Sequence, residues 1–464
     1  MPPIPCPTAA RRAPRAPGPR GNWLLGSLFP FRKNPVRFLV DLHAASGDVA
    51  RFRIGPQTVH VVSHPRDLRH VLQDHAKDYT RTTHGYALLR VFLGNGLLTS
   101  DGEGWRRKRR LAQPSFHRDA LASFLRLMAR AANDLCDTWA TATARGETID
   151  ASAAMVRITL RVASEALLST DLTEASSEIG SALTTCFAEV ARRFTGIDWP
   201  LAVPTARNRR YRRAIATLNA LVTTLVAERR RSPDTRPDLL SMLIAARDTD
   251  TGDALSNAEI VDEVKTILLA GHETTAHALA WAFYVVARHP EVWTTLHAEA
   301  TSALGSASPH NIDLAHLAAL PFARATLEET MRLYPPIWAT ERRAEADDVI
   351  GGFHIPRGSN VIVSPYVTHR HAEFWPDATR FDPARFLAPA KATIDRFAYL
   401  PFSSGPHQCI GNSFALMEAT TILASVAARF RWRLVPDAEI PPVAVVTLRP
   451  RRPIQLALAA AHVS

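Results

Sequence analysis

Apolar and polar residues alternate on both sides of a Gly-Pro break, in Val49-Ala50-Arg51-Phe52-Arg53-Ile54-Gly55 and again in Gln57-Thr58-Val59-His60-Val61-Val62-Ser63. A period of two sends successive side chains to opposite faces of a sheet, and the break supplies a turn, so this segment predicts a β-hairpin. Further on the period lengthens to that of a helix. Apolar stripes predict helices from Arg118 to Ala144 with a stop at Gly146, from Ser152 to Leu168, and from Arg209 to Arg231. The C-terminal third returns to short strands with turns, over Asp348 to Ile355, Asn360 to Ser364 and Pro441 to Leu458. The chain therefore reads as mainly α with minor β, an α+β class. Strands from distant sequence must share sheets and no internal repeat is visible, so residues 16–464 are expected to form a single domain.

The longest apolar stretch opens with Ser256-Asn257-Ala258-Glu259, a capping box in which serine and glutamate satisfy backbone amides reciprocally. It predicts a helix to Arg288 that stops before His289-Pro290, roughly 48 Å long at about 1.5 Å per residue. Its middle carries Ala270-Gly271-His272-Glu273-Thr274-Thr275. Glycine costs a helix about 1 kcal/mol relative to alanine, so polarity here needs a return. Gly271 lets a flat ligand or dioxygen approach the backbone, while the Thr274 hydroxyl and Glu273 carboxylate can organise water and pass protons. A threonine bonded back to the preceding turn is the structural alternative. A zinc-protease reading fails because the second histidine, His277, stands five positions after His272 and not four, about 140° around the helix.

At 464 residues and 46% hydrophobic composition the chain can bury a large core. Its net charge of +11 suits nucleic acid, an anionic surface or an acidic protein. The densest basic run, Arg106-Arg107-Lys108-Arg109-Arg110, has no interleaved aromatics for base stacking, so nucleic acid rests on charge alone and is not expected, and a basic face there would suit an acidic protein partner. The stretch from Met1 to Gly21 is rich in Pro and Arg with no aliphatic run, and residues 1–15 read as a disordered leader. No signal-peptide core and no window of roughly 18 apolar residues occurs, so a soluble, cytoplasmic chain with no transmembrane segment is expected. Of the four cysteines, Cys6, Cys136, Cys186 and Cys409, none shows paired spacing, and Cys136 and Cys186 fall in helical apolar patterns as small buried side chains.

Cys409 is different. It lies in Phe402-Ser403-Ser404-Gly405-Pro406-His407-Gln408-Cys409-Ile410-Gly411, a glycine-bounded loop running into a helix, which suits a thiolate held against haem iron. This segment resembles the haem-binding signature of the cytochromes P450 at Phe402, Gly405, His407, Cys409 and Gly411, with His407 where most members carry arginine. The helix centre is similar to that family's oxygen-activation motif at Ala270, Gly271, Glu273 and Thr274. Glu329-Thr330-Met331-Arg332, followed by Leu333-Tyr334-Pro335-Pro336 and later by Phe381-Asp382-Pro383-Ala384-Arg385-Phe386, resembles the segments that form a structural ion network, here Glu329, Arg332 and Arg385. Trp105 and Arg109, four apart and so on one helix face, match the pair that contacts the haem propionates. The resemblance adds Arg342 and His407 as further propionate partners, with Arg343 an alternative to Arg342.

The resemblance begins near Ala16-Pro17-Gly18-Pro19-Arg20-Gly21 and runs beyond Cys409. It implies the cytochrome P450 fold, a long central helix over a haem with small sheets from the N- and C-terminal parts. It implies haem b (iron protoporphyrin IX) with Cys409 as axial ligand, and a monooxygenase that inserts one oxygen atom of O2 into a lipophilic organic substrate such as a terpene or other secondary metabolite. Substrate walls are expected from the loop Gly85 to Gly94, from Ile267 and Ala270, and from Ile337 and Trp338. No Gly-x-Gly-x-x-Gly follows a strand, so no intrinsic flavin or NAD(P) is expected, and electrons come from a separate ferredoxin or flavodoxin with its reductase. A monomer is expected. The alternatives are oxidative coupling or multistep oxidation on the same scaffold and, from another class, a non-catalytic haem-thiolate sensor, against which the Glu273-Thr274 pair argues.

Overall fold

The computed structural model describes residues 12–170, 176–195, 199–231, 238–305 and 312–461; residues 1–11 of the expected leader, with Cys6, lie outside the described residues. The helices of ten residues or more are α1 Pro35–Ser46, α2 His84–Leu93, α3 Gly102–Ala112, α4 Arg118–Ala144, α5 Ala151–Leu168, α6 Ser176–Thr195, α7 Ala206–Arg231, α8 Asn257–Ala287, α9 Pro290–Leu304, α10 Pro321–Leu333 and α11 Asn412–Arg429. The strands are β1 Val49–Ile54, β2 Gln57–Val62, β3 Tyr79–Thr80, β4 Ile149–Asp150, β5 Thr340–Ala344, β6 Asp348–Ile350, β7 Phe353–Ile355, β8 Asn360–Val363, β9 Phe430–Leu434, β10 Pro442–Ala444, β11 Leu448–Pro450 and β12 Gln455–Ala460. The α+β expectation holds, and the ends of most predicted elements fall within a residue or two.

The hairpin β1–β2 forms with Ile54 opposite Gln57. It is the outer part of a five-stranded sheet in the order β1-β2-β8-β5-β3, in which β8 runs parallel to β2 and antiparallel to β5. Residues from both ends of the chain thus share one sheet. A second sheet, β4-β12-β9, does the same with the extreme C-terminus, and β6-β7 and β10-β11 are separate ribbons. At the N-terminal end of the described chain, the His354 amide of β7 donates to the Pro14 carbonyl at 2.9 Å.

α8 is the axis of the helical core. Its capping box is formed as the sequence requires, the Glu259 amide donating to Ser256 Oγ at 3.2 Å and the Ser256 amide to Glu259 Oε2 at 2.9 Å, and the helix stops before Pro290. From Ala276 to Val286 nearly every side chain is buried, because α5 lies along one side and α10 and α11 along others. Trp281 is fully buried; its indole donates to the Leu448 carbonyl at 3.0 Å and stacks on Tyr334 at 4.1 Å. Such all-round burial fixes the height of the residues one turn earlier, Ala270 to Thr274.

Two wall expectations need correction. Residues 84–93 form helix α2, not a loop: Tyr86, Leu88, Phe92 and Leu93 recur on one face and are buried. Trp338 is buried beneath the large sheet, with its indole N–H donating to the Val445 carbonyl at 3.1 Å, so it belongs to that core.

Candidate active site

The loop bearing Cys409 is shaped by two left-handed residues, Ser403 (φ 59°) and Gly405 (φ 70°). A Cβ on Gly405 would stand 1.9 Å from the Leu72 carbonyl oxygen, so only glycine lets this loop close against that segment. Gly411 is not forced in this way: a Cβ there would meet Phe116 at an ordinary 3.8 Å. The Cys409 amide donates to the Phe402 carbonyl at 2.9 Å, and α11 starts three residues later. The Cys409 side chain is exposed although the surrounding protein desolvates its sulfur, which places it on the wall of an interior opening, not on the outer surface. Burial pushes the thiol up; the Gly411 amide and the Arg109 guanidinium pull it down, both favouring thiolate.

On α8 the polar turn shows the same signature. Leu268 and Leu269 are buried, yet Ala270 is exposed in mid-helix. A small exposed residue within a core helix marks an opening beside it. A Cβ on Gly271 would meet only the Ala163 methyl at 3.7 Å, so the chain itself does not demand glycine there. The Thr274 hydroxyl donates to the Ala270 carbonyl at 2.6 Å and Thr275 to Gly271 at 3.1 Å, the back-bonded arrangement. Its proton thus engaged, Thr274 Oγ1 presents lone pairs. Glu273 Oε1 lies 3.7 Å from His277 Nε2, which gives His277 a partner on its own helix and no metal-ligand role with His272.

Near Cys409 lies a cluster of cations. Arg342 is buried while Arg343 is exposed, and Arg342 donates to Thr340 Oγ1 and to the Glu341 carbonyl, both at 2.9 Å. Trp105 is buried with its ring 4.0 Å from that of His407, and Arg109 donates to the Gln408 carbonyl at 2.8 Å. Arg81, which the sequence reading did not single out, joins them: it is buried, donates to the Leu97 and Leu98 carbonyls at 3.2 and 3.1 Å, and sits over the Tyr86 ring at 5.5 Å. Burial lowers its pKa to about 10, so it stays charged at neutral pH. Burial, then the charges of Arg81 and Arg342, push the His407 pKa down to about 4 against the pull of Asp101. Although burial disfavours its charge, hydrogen bonds from His407 and the Arg81 and Gly102 amides hold Asp101 well below the usual carboxylate range.

This cluster is incomplete. Among the described residues no carboxylate lies within ion-pairing distance of Arg81, Arg109 or Arg342, and both Arg81 Nε and His407 Nδ1 are buried without a hydrogen-bond partner. Buried donors and charges left open cost free energy unless an anionic acceptor completes them. An iron porphyrin, with two carboxylates on one edge and a metal open to sulfur, fits this donor set.

Elsewhere Glu329 and Arg332 close on each other, while Arg385 Nε stands within ion-pairing distance of Glu329 but makes no hydrogen bond. Arg332 is bidentate to Glu329, Nε to Oε2 at 2.6 Å and Nη2 to Oε1 at 2.8 Å, and Arg385 Nε lies 3.6 Å from Glu329 Oε1. The basic run is also paired: Arg107 to Glu259, Arg110 to Asp248 and Asp250, Lys108 to the Asn95 carbonyl, and exposed Arg106 to Glu103 on its own helix. Residues 106–110 therefore present no bare cationic face. His43, Asp48 and His371 bring possible metal-ligand atoms within 4.8 Å of one another, but they are already joined by hydrogen bonds, His371 to Asp48 at 2.8 Å and His43 to Ser63 at 3.0 Å.

Comparison with known protein families matches residues 16–458 to Cytochrome P450. Among curated relatives, the chain is 38% identical over 427 residues to Cyclooctatin synthase of Streptomyces melanosporofaciens, covering 91% of each chain. It is 36% identical over 422 residues to Cyclooctat-9-en-7-ol 5-monooxygenase of the same organism, covering 90% of this chain and 89% of that one. It is 34% identical over 438 residues to Pentalenene oxygenase of Streptomyces avermitilis, covering 94% and 95%.

Proposed function

The chain belongs to the cytochrome P450 family over residues 16–458 and is a monooxygenase of that family; on this premise we propose that it oxidises a cyclic terpene or similarly lipophilic natural product, using haem b held by Cys409. The observation that carries the site assignment is the open cation cluster beside an accessible, desolvated cysteine. Arg81, Arg109, Arg342, His407 and Trp105 would hold the two propionates, and Cys409 the iron. Bound there, the haem supplies reductive activation of dioxygen, one oxygen atom passing to the substrate and the other leaving as water.

The remaining work falls to the chain's own groups. Thr274 Oγ1, with its proton spent on the Ala270 carbonyl, accepts a hydrogen bond from a water or a protonated ligand in the opening. Glu273, one residue earlier, offers a carboxylate that can organise water and pass protons. Ala270, small and exposed, keeps the helix wall low so that a bulky apolar molecule can lie against it. Leu268 and Leu269 on the buried side pin the turn. The names of the three relatives include cyclooctatin, cyclooctat-9-en-7-ol and pentalenene, which supports a carbocyclic terpene as substrate. The family draws electrons from a redox partner, for which we propose a ferredoxin or flavodoxin with its reductase. Among the described residues no helix is long and apolar enough to cross a membrane.

The test is spectroscopic. The reduced protein under carbon monoxide should show the red-shifted Soret band of sulfur-ligated haem, and Cys409→Ser should lose it in folded material; a wild-type band without that shift overturns the ligand assignment. Cyclic terpenes and their monohydroxylated forms should shift the resting Soret band and be oxidised in the presence of a ferredoxin system. If only polar compounds do so, the substrate class is wrong.

A further inference from the structure

An apolar tip stands out on the N-terminal side of the large sheet. Trp23 is 82% exposed, Leu24 58% and Phe29 63%, three large apolar side chains within seven residues of chain. Single exposed apolar residues need no explanation, but a group of this kind marks a contact surface. The tip is also rigidly built. Asn22 and Gly26 exchange backbone hydrogen bonds at 2.8 Å each, and Asn22 Oδ1 accepts from the Leu24 and Leu25 amides at 2.9 and 3.0 Å. Arg53 on β1 donates to the Trp23 carbonyl at 2.8 Å, and the Ser27 amide to the Arg53 carbonyl at 2.7 Å. The fold thus spends hydrogen bonds on holding a tryptophan in solvent.

The charge around it selects the occupant. No aspartate or glutamate occurs between Arg12 and Val40, whereas Arg20, Arg32 and Lys33 are exposed beside the tip. A tryptophan and two further apolar side chains flanked in sequence by cations that have no ion-pair partner among the described residues match the boundary of an anionic bilayer, where indole sits at the headgroup level and lysine and arginine meet lipid phosphate. We propose that residues 20–33 dock the protein reversibly on anionic lipid, the Trp23–Phe29 tip entering the headgroup layer without a membrane-spanning segment. A monooxygenase so placed draws an oil-soluble substrate from the lipid where it concentrates, but the docking itself does not depend on the haem assignment.

Sedimentation of the untagged, haem-loaded protein with large vesicles tests this. Vesicles of equal parts phosphatidylcholine and phosphatidylglycerol should carry the protein down at low salt, and phosphatidylcholine alone should carry less. The double variant Trp23→Ser, Phe29→Ser should bind the mixed vesicles roughly tenfold more weakly while keeping its Soret spectrum and far-ultraviolet dichroism. The proposal is overturned if neither vesicle binds wild type, or if the double variant binds as wild type does. It is equally overturned if the substitutions abolish a concentration-dependent dimer instead, which would make a second copy the occupant of the tip.

Discussion

Two clusters of buried arginine, one around Arg332 and one around Arg81 and Arg342, are made of the same side chain at the same depth and are finished differently. Around Arg332 the guanidinium nitrogens all have acceptors: Glu329 takes two bonds, and the His369, Ala378 and Arg380 carbonyls take the others at 2.6 to 2.9 Å. The Trp375 ring covers its face at 5.0 Å. Around Arg81 and Arg342 there are carbonyls and hydroxyls but, among the described residues, no paired carboxylate, and two nitrogens, Arg81 Nε and His407 Nδ1, have no hydrogen-bond partner. A completed buried charge describes architecture. An uncompleted one describes a ligand by the shape of what is missing.

The largest effect should come from breaking the completed cluster. Arg332→Ala would leave Glu329, fully buried, without its bidentate counter-ion and with only Arg385 at 3.6 Å; a loss of about 3–5 kcal/mol is expected, read as a lower urea midpoint in the haem-free protein as well as the loaded one. Arg385→Ala should cost clearly less, since its Nε stands 3.6 Å from Glu329 and its Nη2 reaches only the Asp377 carbonyl at 3.4 Å. Equal losses would show that the network is not centred on Arg332.

An intermediate case is an acid half completed. Glu263 on α8 accepts from the Leu97 amide at 3.0 Å through Oε2, while Oε1 has no partner. Burial pushes its pKa up from 4.5 to about 7. The folded state then holds a proton that the unfolded chain has released, so this group's contribution is present below about pH 4.5 and is lost as pH rises to about 7. Glu263→Gln should flatten stability across that window and raise it at pH 8 by about 3 kcal/mol at most. A steeper pH dependence in the variant would contradict the sign.

The completed cluster was legible in sequence and the open one only in part, for a physical reason. Glu329 and Arg332 are one helical turn apart, so spacing alone brings them together, and the Phe381–Phe386 segment carried the resemblance that added Arg385. Trp105 and Arg109 share a helix face for the same cause. Arg81 has no such neighbour. It is placed by strand pairing, Thr80 opposite Arg343 across β3 and β5, which brings residue 81 toward Arg342 from 261 positions away; nothing in Tyr79-Thr80-Arg81-Thr82 announces that register. The hairpin, the long helices and the capping box were likewise local and readable. The inward pairing of Arg107 and Arg110 was not, because Glu259, Asp248 and Asp250 lie far off in sequence.

The smallest effect sharpens the comparison most, because its sign should reverse with loading. Arg81→Gln removes a buried cation that no carboxylate of the described residues pairs with directly, Asp101 acting on it only from a distance, so the haem-free protein should be as stable as wild type or slightly more so. The loaded protein should instead lose a charge-assisted contact to a propionate, worth about 1.5 kcal/mol or somewhat more, seen as roughly tenfold faster haem transfer to an acceptor apoprotein. Arg343→Gln, at the exposed neighbour of Arg342, should change neither quantity. If Arg81→Gln destabilised both forms alike, Arg81 would belong with Arg332 as architecture, and the open cluster would have to be completed by something other than the haem carboxylates.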